Sequence, residues 1–162
     1  DFFTPDAGEL AFLADELAPH PFYTRGFILH QDQDAPDLIR RAYEHDNGAA
    51  YLLVKGATDY LANEKQVIAS VDRPAYSAME AIGGTGDSLT GLLSALCGAG
   101  YRRAAAALVA ARTNRLAGEY VNPDPATQIA ELIDKIPQAL SKTINAYQKE
   151  NRHGGSRENK TD

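Results

Sequence analysis

The stretch Ala81-Ile82-Gly83-Gly84-Thr85-Gly86-Asp87-Ser88-Leu89-Thr90-Gly91 runs a glycine cluster straight into an apolar-periodic helix, with an acid at the junction. A buried helix that points its N-terminus at a glycine loop is costly unless something satisfies that end, because its first-turn N–H groups have no partner inside the helix. Gly83, Gly84 and Gly86 let the backbone turn its N–H groups toward one point, and the helix dipole adds positive potential there. Together these features describe an anion site suited to phosphate. Asp87 would repel the anion that the glycines attract. It therefore either caps the helix or takes a proton from a group near the phosphate. A Gly-Gly-Thr-Gly cluster by itself also makes plain turns, so the weight rests on its neighbours.

At 162 residues with 44% hydrophobic side chains, the chain suits one compact domain. Its formal charge of -6 argues against nucleic acid or an anionic membrane surface as partner, since both need basic clusters. The single cysteine, Cys97, can form no internal disulfide and fits a reducing compartment, which makes the cytoplasm the expected location. No stretch reaches the about 18 apolar residues of a membrane span. The first residue is Asp1, which leaves open whether the chain is a whole gene product or a piece of one.

Phe2-Phe3 reads as the end of a buried strand stopped by Pro5, followed by a helix carrying Leu10, Leu13 and Leu17. Residues 19–33 read as a long loop with a short extended piece at Phe27-Ile28-Leu29. Pro36 suits the first turn of a second helix that stops at Asn47-Gly48. The continuous apolar run Ala50–Val54 predicts a strand covered on both faces, and residues 59–62 and 66–71 alternate around Asn63-Glu64-Lys65 as a hairpin. Residues 72–79 read as loop. Two helices follow the glycine loop, separated by Gly98-Ala99-Gly100, and a last helix carries Ile129, Leu132, Ile133 and Ile136. The organisation expected is an α/β domain over residues 1–148 and a polar, disordered tail over 149–162.

Lys55, between an apolar strand and Gly56, belongs at the carboxyl edge of a sheet, where its ammonium either meets a phosphate or is simply solvated. Thr4, Asp6 and Glu9 bring a hydroxyl and two acids to a strand-to-helix junction, and Asp6 with Glu9 has capping-box spacing. Asn114 lies in an otherwise apolar helix and either reaches a ligand or faces water. His20, His30, His45 and His153 have no ligand-like spacing, so no metal held by protein ligands is expected. A nucleotide phosphate brings magnesium of its own.

Taken in order, Thr4-Pro5-Asp6-Ala7-Gly8-Glu9-Leu10, Leu53-Val54-Lys55-Gly56-Ala57, Gly83 through Gly91, Leu116-Ala117-Gly118-Glu119 and Leu132-Ile133-Asp134-Lys135-Ile136-Pro137 resemble the ADP/ATP-dependent NAD(P)H-hydrate dehydratases of the ribokinase-like superfamily. The resemblance runs from Phe2 to about Leu140 and corresponds to the carboxyl-terminal, nucleotide-binding half of that family. It implies a shortened ribokinase-like α/β fold, with a mostly parallel sheet, a β-hairpin and flanking helices. It further implies ADP or ATP with Mg2+ bound at Lys55, Gly83, Gly84, Thr85 and Gly86, Asp87 as catalytic acid/base, and Thr4, Asp6 and Glu9 on the substrate side. The family phosphorylates the hydroxyl of hydrated nicotinamide cofactor, after which loss of phosphate restores NAD(P)H.

The chain departs from the family at several positions. Asp6 stands where the family typically has histidine, Arg73 to Met79 replace an asparagine-glycine segment that helps hold substrate, and Asn114 matches a helix histidine. The family's long amino-terminal half, with several strands and much of the substrate pocket, has no counterpart in this sequence. A homo-oligomer or a partner chain is therefore expected to complete the fold through an open edge at Phe2-Phe3. Two alternatives stay open: a shortened, non-catalytic nucleotide- or partner-binding homologue, and a kinase for another small hydroxylated compound.

Overall fold

A computed structural model describes residues 1–15, 17 and 34–154. The loop expected over residues 19–33 lies outside the described residues. A short strand β1 (Phe2–Phe3) leads into helix α1 (Ala7–Ala14), and α2 (Ala35–Glu44) returns to the sheet. There β2 (Tyr51–Val54), β3 (Asp59–Asn63) and β4 (Gln66–Val71) follow in sequence and in space, in the order β1-β2-β3-β4. Four helices complete the described chain: α3 (Ala78–Ala81), α4 (Thr85–Gly98), α5 (Arg103–Val121) and α6 (Ile129–Gly154).

Side-chain alternation along β2 explains the layering. Leu52 and Val54 point to one face and pack with Leu10 of α1 and Leu38 and Ile39 of α2. Leu53 points to the other, where Leu61 and Val71 meet Leu89, Leu92, Leu93 and Leu96 of α4 and the alanine-rich face of α5. Helices thus cover both faces, as the unbroken apolar run of β2 requires. Small side chains at Ala106, Ala107, Ala110 and Ala111 bring α5 close to the sheet, and α6 packs along α5 through Ala117, Leu132 and Ala139.

The α/β class, the flanking helices and the hairpin agree with expectation; the strand directions do not. Among the described strands only β1 and β2 are parallel, with Phe2 opposite Tyr51, while β2–β3 and β3–β4 are antiparallel. The sheet is therefore mixed and mostly antiparallel. A parallel pair needs a crossover, and among these strands only β1 and β2 have helices between them; the remaining connections are tight turns, which reverse the chain. Three smaller corrections follow. The first helix stops at Ala14, so Leu17 lies beyond it. Ala78 and Met79, the end of the stretch read as loop, belong to the single turn α3. The last helix continues to Gly154, past the expected start of the tail at 149, because Tyr147 still packs on the core and no breaker intervenes before Gly154. No helix among the described residues is long and apolar enough to cross a membrane.

Candidate nucleotide-phosphate site

Helix α4 starts at Thr85, with Gly84 as its cap in the left-handed conformation, φ 94°. Glycine is required there twice over: the conformation strains any L residue, and an added Cβ would lie 2.9 Å from Cγ1 of Ile129. Around Gly83 and Gly86 the situation is the opposite. Both are exposed, and a Cβ on either would meet nothing within 4 Å among the described residues. Among the described residues no side chain caps the helix, and its first N–H groups have no partner within it, beside two bare glycines. That arrangement fits a phosphate.

Asp87 is the third residue of α4, not its cap, which removes the capping alternative. Its side chain is exposed and has no hydrogen bond or ion pair among the described residues. The first turn of α4 is instead anchored from below. Asn114 of α5 donates from Nδ2 to the Thr85 carbonyl at 3.1 Å, and the Ser88 hydroxyl donates to Asn114 Oδ1 at 2.7 Å. Asn114, only 3% exposed, is thus turned away from bulk water, and both polar atoms of its amide hold the glycine end of α4. On the near side the hydroxyls of Thr4 and Thr90 lie 2.9 Å apart, which brings the β1–α1 junction against α4.

Asp6 and Glu9 occupy each other. Asp6 Oδ1 accepts from the Glu9 N–H and Glu9 Oε2 accepts from the Asp6 N–H, both at 2.8 Å, a complete capping box at the start of α1. Beside it, the Lys55 N–H donates to the Pro5 carbonyl at 2.9 Å, extending the β1–β2 pairing to Asp6 and Lys55. The Lys55 ammonium opens onto a cavity of ≈ 240 Å³ walled also by Asp59, Tyr76, Glu80, Asn114 and Arg115. Burial pushes the Lys55 pKa down from 10.5; Asp59 and Glu80 oppose the shift, Arg115 adds to it, and Asp6 opposes it. Its ammonium has no hydrogen-bond or ion-pair partner among the described residues. Gly83 to Asp87 are not walls of this cavity; Asn114, which lines it and holds Thr85, joins the two.

The sequence reading overlooked the residues that shape this cavity. Arg115 binds Asp59 across 2.8 Å, with side chains 10% and 4% exposed, and α3 supplies Glu80. Met79 of the same turn lies against Gly118 of α5, where a Cβ would come within 2.8 Å of its sulfur. The available signal was a charged residue inside the apolar helix α5, which invites a search for a buried counter-charge. Among the described residues no group of three or more His, Cys, Asp or Glu side chains is placed to hold a metal ion.

Comparison with known proteins gives the chain a family. Residues 2–139 match the family described as NAD(P)H-hydrate dehydratase. An uncharacterised protein of Methanocaldococcus jannaschii is 46% identical over 143 residues, covering 88% of this chain and 62% of the relative. The bifunctional NAD(P)H-hydrate repair enzyme Nnr of Hyperthermus butylicus is 35% identical over 110 residues, covering 67% of this chain but 20% of that enzyme. The chain therefore spans less than two thirds of either relative. No solved structure matches it. With its family match running from β1 into α6 and its glycine-capped α4, the chain belongs to the NAD(P)H-hydrate dehydratase family and has that family's ribokinase-like α/β fold.

Proposed function

We propose that this chain carries the nucleotide-phosphate half of an ADP- or ATP-dependent NAD(P)H-hydrate dehydratase, with Asp87 as acid/base. The observation that carries the reading is the uncapped start of α4, fronted by the open space at Gly83 and Gly86, with an unpaired carboxylate one residue further on. When bound, the nucleotide supplies a transferable phosphoryl group and, through its own phosphate oxygens, the ligands for Mg2+. The chain's residues do the rest. The backbone N–H groups of Thr85, Gly86 and Asp87 stabilise charge on the phosphoryl oxygens, and the Asp87 carboxylate accepts the proton of the substrate hydroxyl. Lys55 neutralises phosphate from the cavity side. Thr4, Asp6 and Glu9 shape the substrate approach through backbone placement, since both carboxylates are committed to the cap of α1. A kinase for another small alcohol would use the same residues, so the discriminating assay offers hydrated NADH and a panel of sugars with ATP or ADP. Conversion of the hydrate alone supports the dehydratase, and phosphorylation of a sugar alone refutes it.

The lowered pKa of Lys55 gives a pH signature. Phosphate binding needs the charged ammonium, so affinity holds below the Lys55 pKa and is lost as pH rises through it, starting below the ordinary 10.5. Calorimetric titration with ADP should show this alkaline loss. Lys55→Arg should abolish the pH dependence, and Lys55→Ala should weaken binding about tenfold or more at neutral pH. An alkaline limb that persists in Lys55→Arg assigns it to another group.

A second reading, that the chain works with a partner or a second copy, draws on the sheet edge. Among the described strands β1 pairs with β2 alone, Phe3 is 47% exposed, and an open groove of ≈ 860 Å³ beside β1 is walled by Phe2, Tyr51, Tyr101, Arg102 and Tyr147. Light scattering across a concentration series should show association that Phe3→Lys reverses; a monomer at every concentration rules out the self-association form of this reading.

A further inference from the structure

The Arg115 guanidinium holds three chain segments at once. From α5 it donates through Nε to Asp59 at 2.8 Å, through Nη2 to the carbonyls of Gly56 at 2.8 Å and Ala57 at 3.0 Å, and through Nη1 to the Pro74 carbonyl at 3.3 Å. The second oxygen of Asp59 is also taken, by the Gly56 N–H at 3.1 Å. Asp59 begins β3, four positions after Lys55 and on the wall of the same cavity, and is the natural counter-ion for that ammonium. Both of its oxygens are nevertheless engaged elsewhere, and Lys55 is left without a partner among the described residues.

We propose that Arg115 is a positioning residue for Lys55: it pins the turn that follows Lys55 onto α5 and sequesters the Asp59 carboxylate, so that the ammonium stays free for an anionic ligand. Only the identity of that ligand as a nucleotide phosphate rests on the proposed function. The arrangement resolves a conflict. A buried lysine beside an unengaged carboxylate would form an ion pair and resist exchanging it for a phosphate, whereas a carboxylate with one oxygen held by the arginine and the other by a backbone N–H competes less for the ammonium.

The groups that face Lys55 are Asp59, Glu80, Arg115 and Asp6, so removing one charge at a time has a defined sign. In Arg115→Met the repulsion disappears and Asp59 is released to pair with Lys55, which raises the Lys55 pKa. In Asp59→Asn the attraction disappears while the Arg115 charge remains, which lowers it. Trace acetylation of the full chain at a series of pH values, with the Lys55 peptide read by mass spectrometry, follows this directly and needs no nucleotide. Lys55 should react roughly threefold slower than wild type at pH about 8 in Arg115→Met and roughly threefold faster in Asp59→Asn. ADP affinity should fall about tenfold in Arg115→Met and return in Asp59→Asn/Arg115→Met, where no buried carboxylate competes for the lysine.

A purely structural ion pair would lower stability in both single variants and leave the Lys55 titration in place; that result overturns the proposal. Shifts in the same direction in both variants overturn it too. Should Arg115→Met fail to fold, the nearly isosteric Asp59→Asn carries the test through its own sign. If the opposed shifts are found and ADP binds no form of the protein, the positioning role stands and the nucleotide reading falls.

Discussion

Asp87→Asn is expected to lower turnover of hydrated NADH by about 10²–10⁴, the range for removing a positioned general base, with little effect on folding. The separation follows from where Asp87 sits. Its side chain is exposed and unbonded among the described residues, so no buried partner is orphaned by the change. Its remaining structural contribution is a negative charge in the first turn of α4, which stabilises the helix by about 0.3–1 kcal/mol. ADP should bind the variant as well as wild type or better, because a charge of the same sign as the phosphate has been removed. Return of NADH absorbance gives the rate and calorimetry gives the affinity. Unchanged turnover with unchanged affinity would exclude Asp87 as the base. Loss of ADP binding would mean that the carboxylate serves the nucleotide, not the proton transfer.

The glycine loop should divide into one position that holds the fold and two that hold the ligand. Gly84→Ala puts a β-carbon on a left-handed residue and drives it to 2.9 Å from Ile129. The conformational cost alone is about 1–2 kcal/mol, and the collision with α6 raises the total to about 2–3 kcal/mol. Gly83→Ala and Gly86→Ala meet no neighbour within 4 Å and should stay within about 0.5 kcal/mol of wild type in urea unfolding. Both methyl groups would nevertheless stand in the space open to an anion in front of α4. ADP affinity should drop about tenfold or more in each, with the melting temperature of the free protein nearly unchanged. If Gly83→Ala and Gly86→Ala bind ADP normally, the phosphate does not sit at this helix end, and the cavity at Lys55 becomes the place to look.

These predictions rest on features of unequal legibility. The alternation around Asn63-Glu64-Lys65 and the apolar run of β2 were readable because each encodes its own local geometry and burial. The same holds for the glycine end of α4 and for the capping box of Asp6 and Glu9, whose partners are three residues apart. Strand direction was not readable in this way. A strand's periodicity is identical in parallel and antiparallel sheets, and the family resemblance favoured the parallel arrangement that two of the three strand pairings do not share.

By itself, then, the sequence determined the local elements, the glycine-rich start of α4 and the presence of Asp87 and Lys55, because turn chemistry and hydrophobic period act over a few residues. Only the tertiary structure decided what those residues meet. Arg115 and Asp59 are 56 positions apart, and Asn114 and Thr85 are 29 apart, yet the first pair engages the carboxylate beside Lys55 and the second holds the glycine end in place. Such contacts arise when packing of α5 against the sheet and α4 forces buried polar groups to satisfy one another, and no local period records that demand.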